Sequence, residues 1–222
     1  MACTSGVPFS VCGLILLAGA ASAAVIGLAP STSAPALAAV AALAPAPAPA
    51  GLATFEVDGV HSSAVFKIQH AGVSPFYGTF QKISGSIAWD KDNPQSASFS
   101  VTIDANSVAS GNTARDNHLK SPDFFNAKEH PTIQFKSTSL TKTGDSTFDL
   151  AGEVTMLGKT KPITAKLVFT GERDAGGNFG YRAGFDTSFT LKRSDFGMTY
   201  GVAQGSLSDE VTVMVGFAGV KK

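Results

Sequence analysis

The 222-residue chain has few reactive side chains, and their positions exclude several classes of protein. Its two cysteines, Cys3 and Cys12, lie near the N-terminus, so the rest of the chain can form neither a disulfide nor a thiolate metal site. The four histidines, at positions 61, 70, 118 and 130, lack the spacing of a metal-binding motif. No Gly-x-Ser-x-Gly elbow or phosphate-binding loop is present. We therefore expect no enzymatic activity, no metal and no cofactor apart from a bound lipid or quinone.

Charge is also absent from the N-terminal part of the chain. No Asp, Glu, Lys or Arg precedes Glu56, and the 17 acidic and 17 basic residues that lie from there onward give a net charge of zero. Binding of nucleic acid depends on a basic surface that neutralises phosphates. We therefore expect no nucleic acid among the partners.

The uncharged region has the composition of an export signal followed by a spacer. Residues 11–29 form a continuous run of apolar and small residues, and Ala21-Ser22-Ala23 matches a secretory cleavage pattern, although the usual preceding Lys or Arg is missing. A run of this length could also remain as a membrane anchor. Residues 30–53, rich in Ala and Pro, predict an extended linker.

These features divide the chain into three parts. Residues 1–29 are predicted to be a signal peptide or an uncleaved anchor, residues 30–53 a linker, and residues 54–222 the folded domain. We expect a periplasmic or otherwise exported protein, or one anchored in the membrane through residues 11–29.

From residue 54 onward, apolar and polar residues alternate, which is typical of strands with one dry and one wet face. Turn signals at residues 92–94, 143–145, 157–159 and 175–178 help to separate about eight such runs. The pattern predicts an all-β fold, either a barrel or a sandwich. Residues 112–129 break the alternation, and a short helix is predicted at residues 113–119, where it could line or plug one mouth of a barrel.

The dry face is rich in phenylalanine. All but Phe9 of the 16 phenylalanines lie in the predicted domain. An eight-stranded barrel is just wide enough either to fill itself with side chains or to hold one ligand. Alternation alone does not distinguish a packed core from a lined cavity. A filled barrel would have to act through its rim, for example as a stress-related or adhesion module.

Four stretches resemble the YceI-like family in sequence, order and spacing. They are HS at 61–62 with FKIQH at 66–70, GTF at 78–80 and SG at 84–85; ARDNHLKSPDFF at 114–125 with HPTIQF at 130–135; GEVTMLGKTKPI at 152–163; and RSDFGM at 193–198. The second stretch is the most specific. The resemblance covers residues 55–217 and leaves out the leader and the linker.

The resemblance implies an eight-stranded, antiparallel, lipocalin-like barrel in the periplasm. Such a barrel would hold a polyisoprenoid, an isoprenoid quinone or another long-chain amphiphile in an elongated pore, for transport or storage. A long-chain lipid is thus the expected partner, with a membrane as its source. Dimers occur in the family, so a homodimer is a further expectation.

On this basis we predict a set of apolar residues that line the pore. The alternative for each is core packing without contact to a ligand. They are Phe66, Ile68, Phe80, Phe99, Ile103, Phe135, Val154, Met156, Leu167, Phe169, Phe185 and Phe189.

Three polar residues are candidates for contact with a head group. His70 follows the alternation of Phe66 and Ile68, so its imidazole should point inward, toward a quinone carbonyl or a hydroxyl; the alternative is a buried histidine bonded to the backbone. Arg115 and His118 lie in the irregular segment, where they could receive a head group, and an arginine suits a phosphate. The alternative is that both only fix this segment on the barrel.

Two further predictions concern the seating of loops. Phe124 and Phe125 should dock the irregular segment, with Asp123 capping a turn, and either ring could touch a ligand at the mouth. Asp195 is predicted to pair with Arg193 in a structural role.

Overall fold

A computed structural model describes residues 52–222. The predicted signal or anchor, and all but the last two residues of the predicted linker, lie outside the described residues. The described elements are β1 (Ala53–Val57), β2 (Ser63–His70), β3 (Ser74–Phe80), β4 (Ile83–Trp89), β5 (Ser98–Asp104), β6 (Val108–Ala109), α1 (Thr113–Leu119), β7 (Thr132–Lys142), β8 (Thr147–Met156), β9 (Lys159–Asp174), β10 (Tyr181–Lys192) and β11 (Leu207–Lys221). No helix among them is long and apolar enough to cross a membrane.

The strands close into an antiparallel barrel. The hydrogen-bonded order is β1-β4-β5-β7-β8-β9-β10-β11, and β11 pairs with β1 to complete the ring. β2 pairs with the first part of β11, β3 with β2, and β6 with β3. These three strands therefore continue β1, β4 and β5 beyond short interruptions. The predicted eight-stranded barrel is confirmed.

One half of the barrel is filled with side chains. Trp89 stands at its centre, with ring centroids 5.8 Å from Phe148, 4.8 Å from Phe169 and 5.0 Å from Phe185. Ile87 and other inward residues around this cluster are completely buried. Because aromatic rings bury large areas and prefer edge-to-face contacts, this half is a closed hydrophobic core.

The predicted helix forms at the other end of the barrel. The side chain of Asn112 accepts a hydrogen bond from the N–H of Arg115 at 3.0 Å and so caps the first turn. Leu119 is buried at the last turn, and its carbonyl accepts from the N–H of Phe125 at 3.0 Å. The Phe125 ring then packs edge-on to Phe80, with centroids 5.2 Å apart. Phe124 and Phe125 were predicted to dock the irregular segment on the barrel, and this is confirmed for Phe125.

Candidate functional site

The half of the barrel beside α1 is hollow. A cavity of about 590 Å³ runs between the inward faces of the strands. Its opening is surrounded by the β2–β3 turn with Ser74, by Arg115 and His118 of α1, and by Tyr200 of the β10–β11 loop. A volume of this size lies within the range that small-molecule sites occupy, about 300–1,000 Å³.

The burial of inward residues changes along the barrel. In the filled half, inward residues such as Phe148, Leu167 and Phe185 are almost entirely buried. In the hollow half, residues of the same inward rows keep accessible surface although they face the interior. They include Ile133, Phe135, Ile163, Phe189, Leu191, Val211 and Val213. Since these side chains border the cavity, it is open space into which they project.

The cavity is elongated along the strands. Its wall on β11 extends from Leu207 to Phe217. At about 3.3 Å per residue this is roughly 33 Å of strand, and a strand tilt of about 40° reduces the depth along the barrel axis to roughly 25 Å. The shape suits a chain inserted lengthwise.

Two glycines make room for aromatic rings of the neighbouring strands in the cavity wall. A Cβ at Gly78 would lie 2.1 Å from Cζ of Phe66, and a Cβ at Gly152 would lie 2.5 Å from the Phe135 ring. Both rings therefore cover a glycine of the neighbouring strand, in the way that aromatic residues shield glycines in sheets.

The structure brings most of the predicted pore residues to one cavity. Fourteen of the seventeen predicted site residues border it, namely Phe66, Ile68, His70, Phe80, Phe99, Ile103, Arg115, His118, Phe124, Phe125, Phe135, Val154, Met156 and Phe189. Contact of any of them with a ligand stays a prediction.

The other three predicted pore residues lie elsewhere. Leu167, Phe169 and Phe185 do not border the cavity; they pack in the filled half, where Phe169 and Phe185 contact each other and Trp89. The prediction that these three residues line the pore is wrong. The physical reason is that alternation identifies the inward face of a strand but not the depth at which packing becomes complete.

The cavity is also lined by residues outside the predicted set. Several, such as Val213 and Phe217, lie on inward rows whose alternation is visible in the sequence. Extending the predicted pore along these rows would have included them. Others come from loops or are polar, and no periodic signal marks them. The additional lining residues include Phe76, Leu150, Ala165, Thr187, Leu191, Arg193, Met198, Tyr200, Leu207, Val211, Val213 and Phe217.

The mouth carries the predicted polar residues in specific contacts. His70 lies on the inward row but at the exposed end of β2, so the alternative of a buried histidine is wrong. The guanidinium of Arg115 donates from Nε to the Ser110 hydroxyl at 2.8 Å and lies 4.2 Å from the centre of the Phe76 ring. A cation over an aromatic face is attracted by the ring quadrupole. These contacts hold Arg115 at the rim.

His118 joins the helix to the β10–β11 loop. Its Nε2 lies 2.9 Å from Oδ2 of Asp123, and its ring stands edge-on to Phe124 and Tyr200, each at 5.0 Å between centroids. The Asp123 carboxylate thus bonds to His118, which differs from the turn-capping role predicted for it. The contact fixes one side of the opening.

Arg193 is the buried charged side chain of the site. It is 2% exposed and borders the cavity. Its Nε donates to the carbonyl of Ser208 at 2.8 Å, and its Nη2 donates to the carbonyls of Tyr200 at 2.8 Å and Leu207 at 3.3 Å. The predicted pairing with Asp195 is wrong, because the guanidinium bonds to carbonyls of the β10–β11 loop and of β11, and Asp195 is exposed.

The carboxylate that neighbours Arg193 is Asp209. Burial alone would raise the pKa of Asp209, but hydrogen bonds from the hydroxyl and N–H of Ser194, at 2.7 and 2.9 Å, together with Arg193 hold it below its ordinary value. Burial lowers the pKa of Arg193, and Asp209 opposes that shift. Arginine side chains stay protonated in proteins, and a carboxyl whose pKa is lowered is deprotonated at neutral pH, so both groups are ionised there.

Within residues 52–222, no group of three or more His, Cys, Asp or Glu side chains is arranged to hold a metal ion. The polar atoms around the mouth are donors and acceptors on an otherwise apolar wall. Such a site can bury a hydrocarbon chain and hydrogen-bond its polar end.

A closed antiparallel barrel with an apolar interior cavity and a polar mouth belongs to the class of lipocalin-like barrels. The family model described as the YceI-like domain matches residues 55–218. The chain therefore belongs to the YceI-like family, and the resemblance of its sequence motifs is confirmed.

The relatives agree with this assignment. A UPF0312 protein from Pseudomonas aeruginosa strain LESB58 is 40% identical over 174 residues, covering 77% of this chain and 88% of its own. A UPF0312 protein from Ectopseudomonas mendocina strain ymp is 39% identical over 173 residues, with the same coverage.

Solved structures share the barrel. The YceI protein of Campylobacter jejuni has a TM-score of 0.61 and 28% identity over 69% of this chain and 89% of its own. BcnA of Burkholderia cenocepacia has a TM-score of 0.66 and 23% identity over 73% and 98%. A domain from Saccharophagus degradans, described as polyisoprenoid-binding and implicated in plant cell wall breakdown, has a TM-score of 0.59 and 15% identity over 77% and 99%. The last two are similar in fold alone.

Proposed function

We propose that this protein binds one long apolar amphiphile, a polyisoprenoid or an isoprenoid quinone, inside the barrel and carries or stores it in the cell envelope. The observation that carries the proposal is the hollow half of the barrel, in which residues on inward rows keep accessible surface toward a single elongated cavity. The polyisoprenoid-binding description of the Saccharophagus degradans domain points in the same direction.

The apolar cavity wall should select a ligand by the length of its hydrocarbon chain more than by its functional groups. Each methylene moved from water into an apolar site contributes about 0.8 kcal/mol, so ten of them contribute about 8 kcal/mol before ordering costs are subtracted. Contacts from residues such as Phe189, Val213 and Met156 recognise shape and hydrophobicity. The few polar groups at the mouth would then select the head group.

We further propose that the protein has no catalytic activity and that its ligand comes from a membrane. Export through the N-terminal segment, as signal peptide or anchor, and homodimer formation belong to the same proposal. A barrel that acts only through its rim is the competing function, and the cavity argues against it, because a filled barrel would leave no such space among the inward rows.

Native mass spectrometry of the exported protein, purified from bacteria without detergent, tests the proposal. We expect a stoichiometric mass excess that is lost on unfolding and is identified as an isoprenoid or another long-chain amphiphile. A protein that arrives without ligand is then titrated with ubiquinones and polyprenols of increasing chain length. If none of these binds either, the rim-binding function is favoured and the carrier proposal is rejected.

A further inference from the structure

The guanidinium of Arg193 has one edge that the protein does not use. Its Nη1 is buried and has no hydrogen-bond partner within residues 52–222, whereas Nε and Nη2 are bonded to three main-chain carbonyls. A buried donor left unpaired is energetically costly, and more so when it is charged. Resting on the proposed function, we propose that Arg193 is the anchor for the ligand's head group and donates from Nη1 to a phosphate, carboxylate or carbonyl oxygen.

Its position in the barrel suits this role. Arg193 directly follows β10, and its neighbours Leu191, Met198 and Leu207 all border the cavity with it. Tyr200, whose carbonyl accepts from Nη2, is 48% exposed and marks the opening. A head-group oxygen at Arg193 would thus lie just inside the mouth, with the chain directed inward past Phe189.

The guanidinium is also held in place before a ligand arrives. Three carbonyls, one from the β10–β11 loop and two from the start of β11, orient its plane, so little side-chain freedom remains to be lost on binding. Hydrogen bonds between a charged donor and an oxygen are about twice as strong as neutral ones, and an anionic acceptor strengthens them further. The site therefore favours phosphate over alcohol, and alcohol over a hydrocarbon end.

A second unpaired polar group would suit the opposite orientation of the ligand, with its head group at the inner end of the cavity. Oγ1 of Thr187 is buried without a partner in the described part of the chain, and Thr187 lies at the cavity floor, between Phe185 of the filled half and Phe189 of the hollow half. Six residues of strand, roughly 20 Å, separate it from Arg193. Because hydrogen bonds that involve a charged group contribute more than those of a hydroxyl, the head group belongs at Arg193.

The first test uses the unmodified protein and four probes with one fifteen-carbon chain: farnesyl phosphate, farnesoic acid, farnesol and farnesene. Affinities measured by native mass spectrometry or calorimetry should favour the phosphate and the acid over the hydrocarbon by about 10- to 100-fold. Equal binding of all four probes would leave the carrier function intact and overturn the anchor. If none of the four binds although longer ubiquinones or polyprenols do, the anchor is overturned and the carrier function stands. If the longer ligands fail as well, both are rejected.

The second test assigns the preference to a residue. Arg193→Gln should reduce the ratio of phosphate to hydrocarbon affinity to near one, while Arg173→Gln, on the exposed surface of β9, should leave it unchanged. Thermal unfolding reports whether the β10–β11 loop tolerates the change. If Arg115→Gln abolishes the preference and Arg193→Gln does not, the anchor is Arg115 and the proposal is wrong. If the variant of Arg193 does not fold, a bound-state structure with farnesyl phosphate decides: an oxygen within 3.2 Å of Nη1 supports the proposal, and a head group at Thr187 refutes it.

Discussion

A larger side chain at Val213 should close the cavity without disrupting the barrel. Val213 lies on the inward row of β11, between Phe66 of β2 and Phe189 of β10, and it keeps accessible surface toward the cavity. Val213→Phe places a ring in that open space. Because the ring enters a void and does not displace packed neighbours, we expect the free energy of unfolding to change by less than about 1.5 kcal/mol.

The expected loss of affinity follows from the atoms displaced. Phenylalanine has about four more carbon atoms than valine, and at interior packing density these exclude about four carbons of the ligand chain. At about 0.8 kcal/mol for each, the loss is about 3 kcal/mol, or roughly 200-fold in Kd. Calorimetry with farnesol and with a ubiquinone carrying two isoprene units measures this difference.

The matched control is Val220→Phe, the same chemical change on the same strand. Val220 lies on the outward row of β11 and does not border the cavity. Its variant should bind as the unmodified protein does. If Val213→Phe also binds with unchanged affinity while remaining folded, the ligand does not occupy this cavity, and the reasoning from half-buried inward rows is refuted.

Three further predictions concern the frame around the cavity. Phe185→Ala should lower the free energy of unfolding, measured by chemical denaturation, by about 3–5 kcal/mol, because it opens a void beside Trp89. Titration of the same variant should show an unchanged ligand stoichiometry. Gly78→Ala should force the Phe66 ring away from its strand and destabilise the barrel by about 1–3 kcal/mol, which urea unfolding measures; a stability equal to that of the unmodified protein would contradict the close approach. Hydrogen bonds from Arg182 and His61 hold the pKa of the Asp58 carboxyl well below its ordinary value, so Asp58→Asn should destabilise the protein at pH 7. The difference should shrink as the pH falls below about 4, where the unfolded carboxyl is protonated first; a difference independent of pH would exclude this cause.

Much of the fold was predictable because it depends on local rules. The alternation of Phe99, Val101 and Ile103 places one face of β5 inward, and the cap residue Asn112 begins α1 where the alternation stops. The resemblance of the four motifs to the YceI-like family predicted the closure of the barrel, and the type of ligand that it implies stays a prediction. Most predicted pore residues reached one cavity because inward rows of a closed barrel must converge.

The errors share a different cause. Leu167, Phe169 and Phe185 carry the same pattern as residues of the cavity wall, but they lie at the depth where Trp89 and its neighbours fill the cross-section. Arg193 and Asp195 belong to no periodic pattern. The partners of Arg193 are the carbonyls of Tyr200 in the β10–β11 loop and of Leu207 and Ser208 at the start of β11, all at least seven residues away in sequence. Local alternation indicates neither how deep a residue lies along the barrel nor which backbone carbonyls of a distant segment come close to it.

By itself, then, the sequence determined the strands and the inward face of each, since these follow from period-two patterning and turn residues. The class of barrel came from the resemblance of its motifs to the YceI-like family. Only the tertiary structure decided which half of the barrel is filled and which is hollow, and that a buried guanidinium stands at the mouth. Both depend on how side chains from distant strands and loops share one cross-section, a question of volume and hydrogen-bond geometry among residues that are not neighbours in the chain.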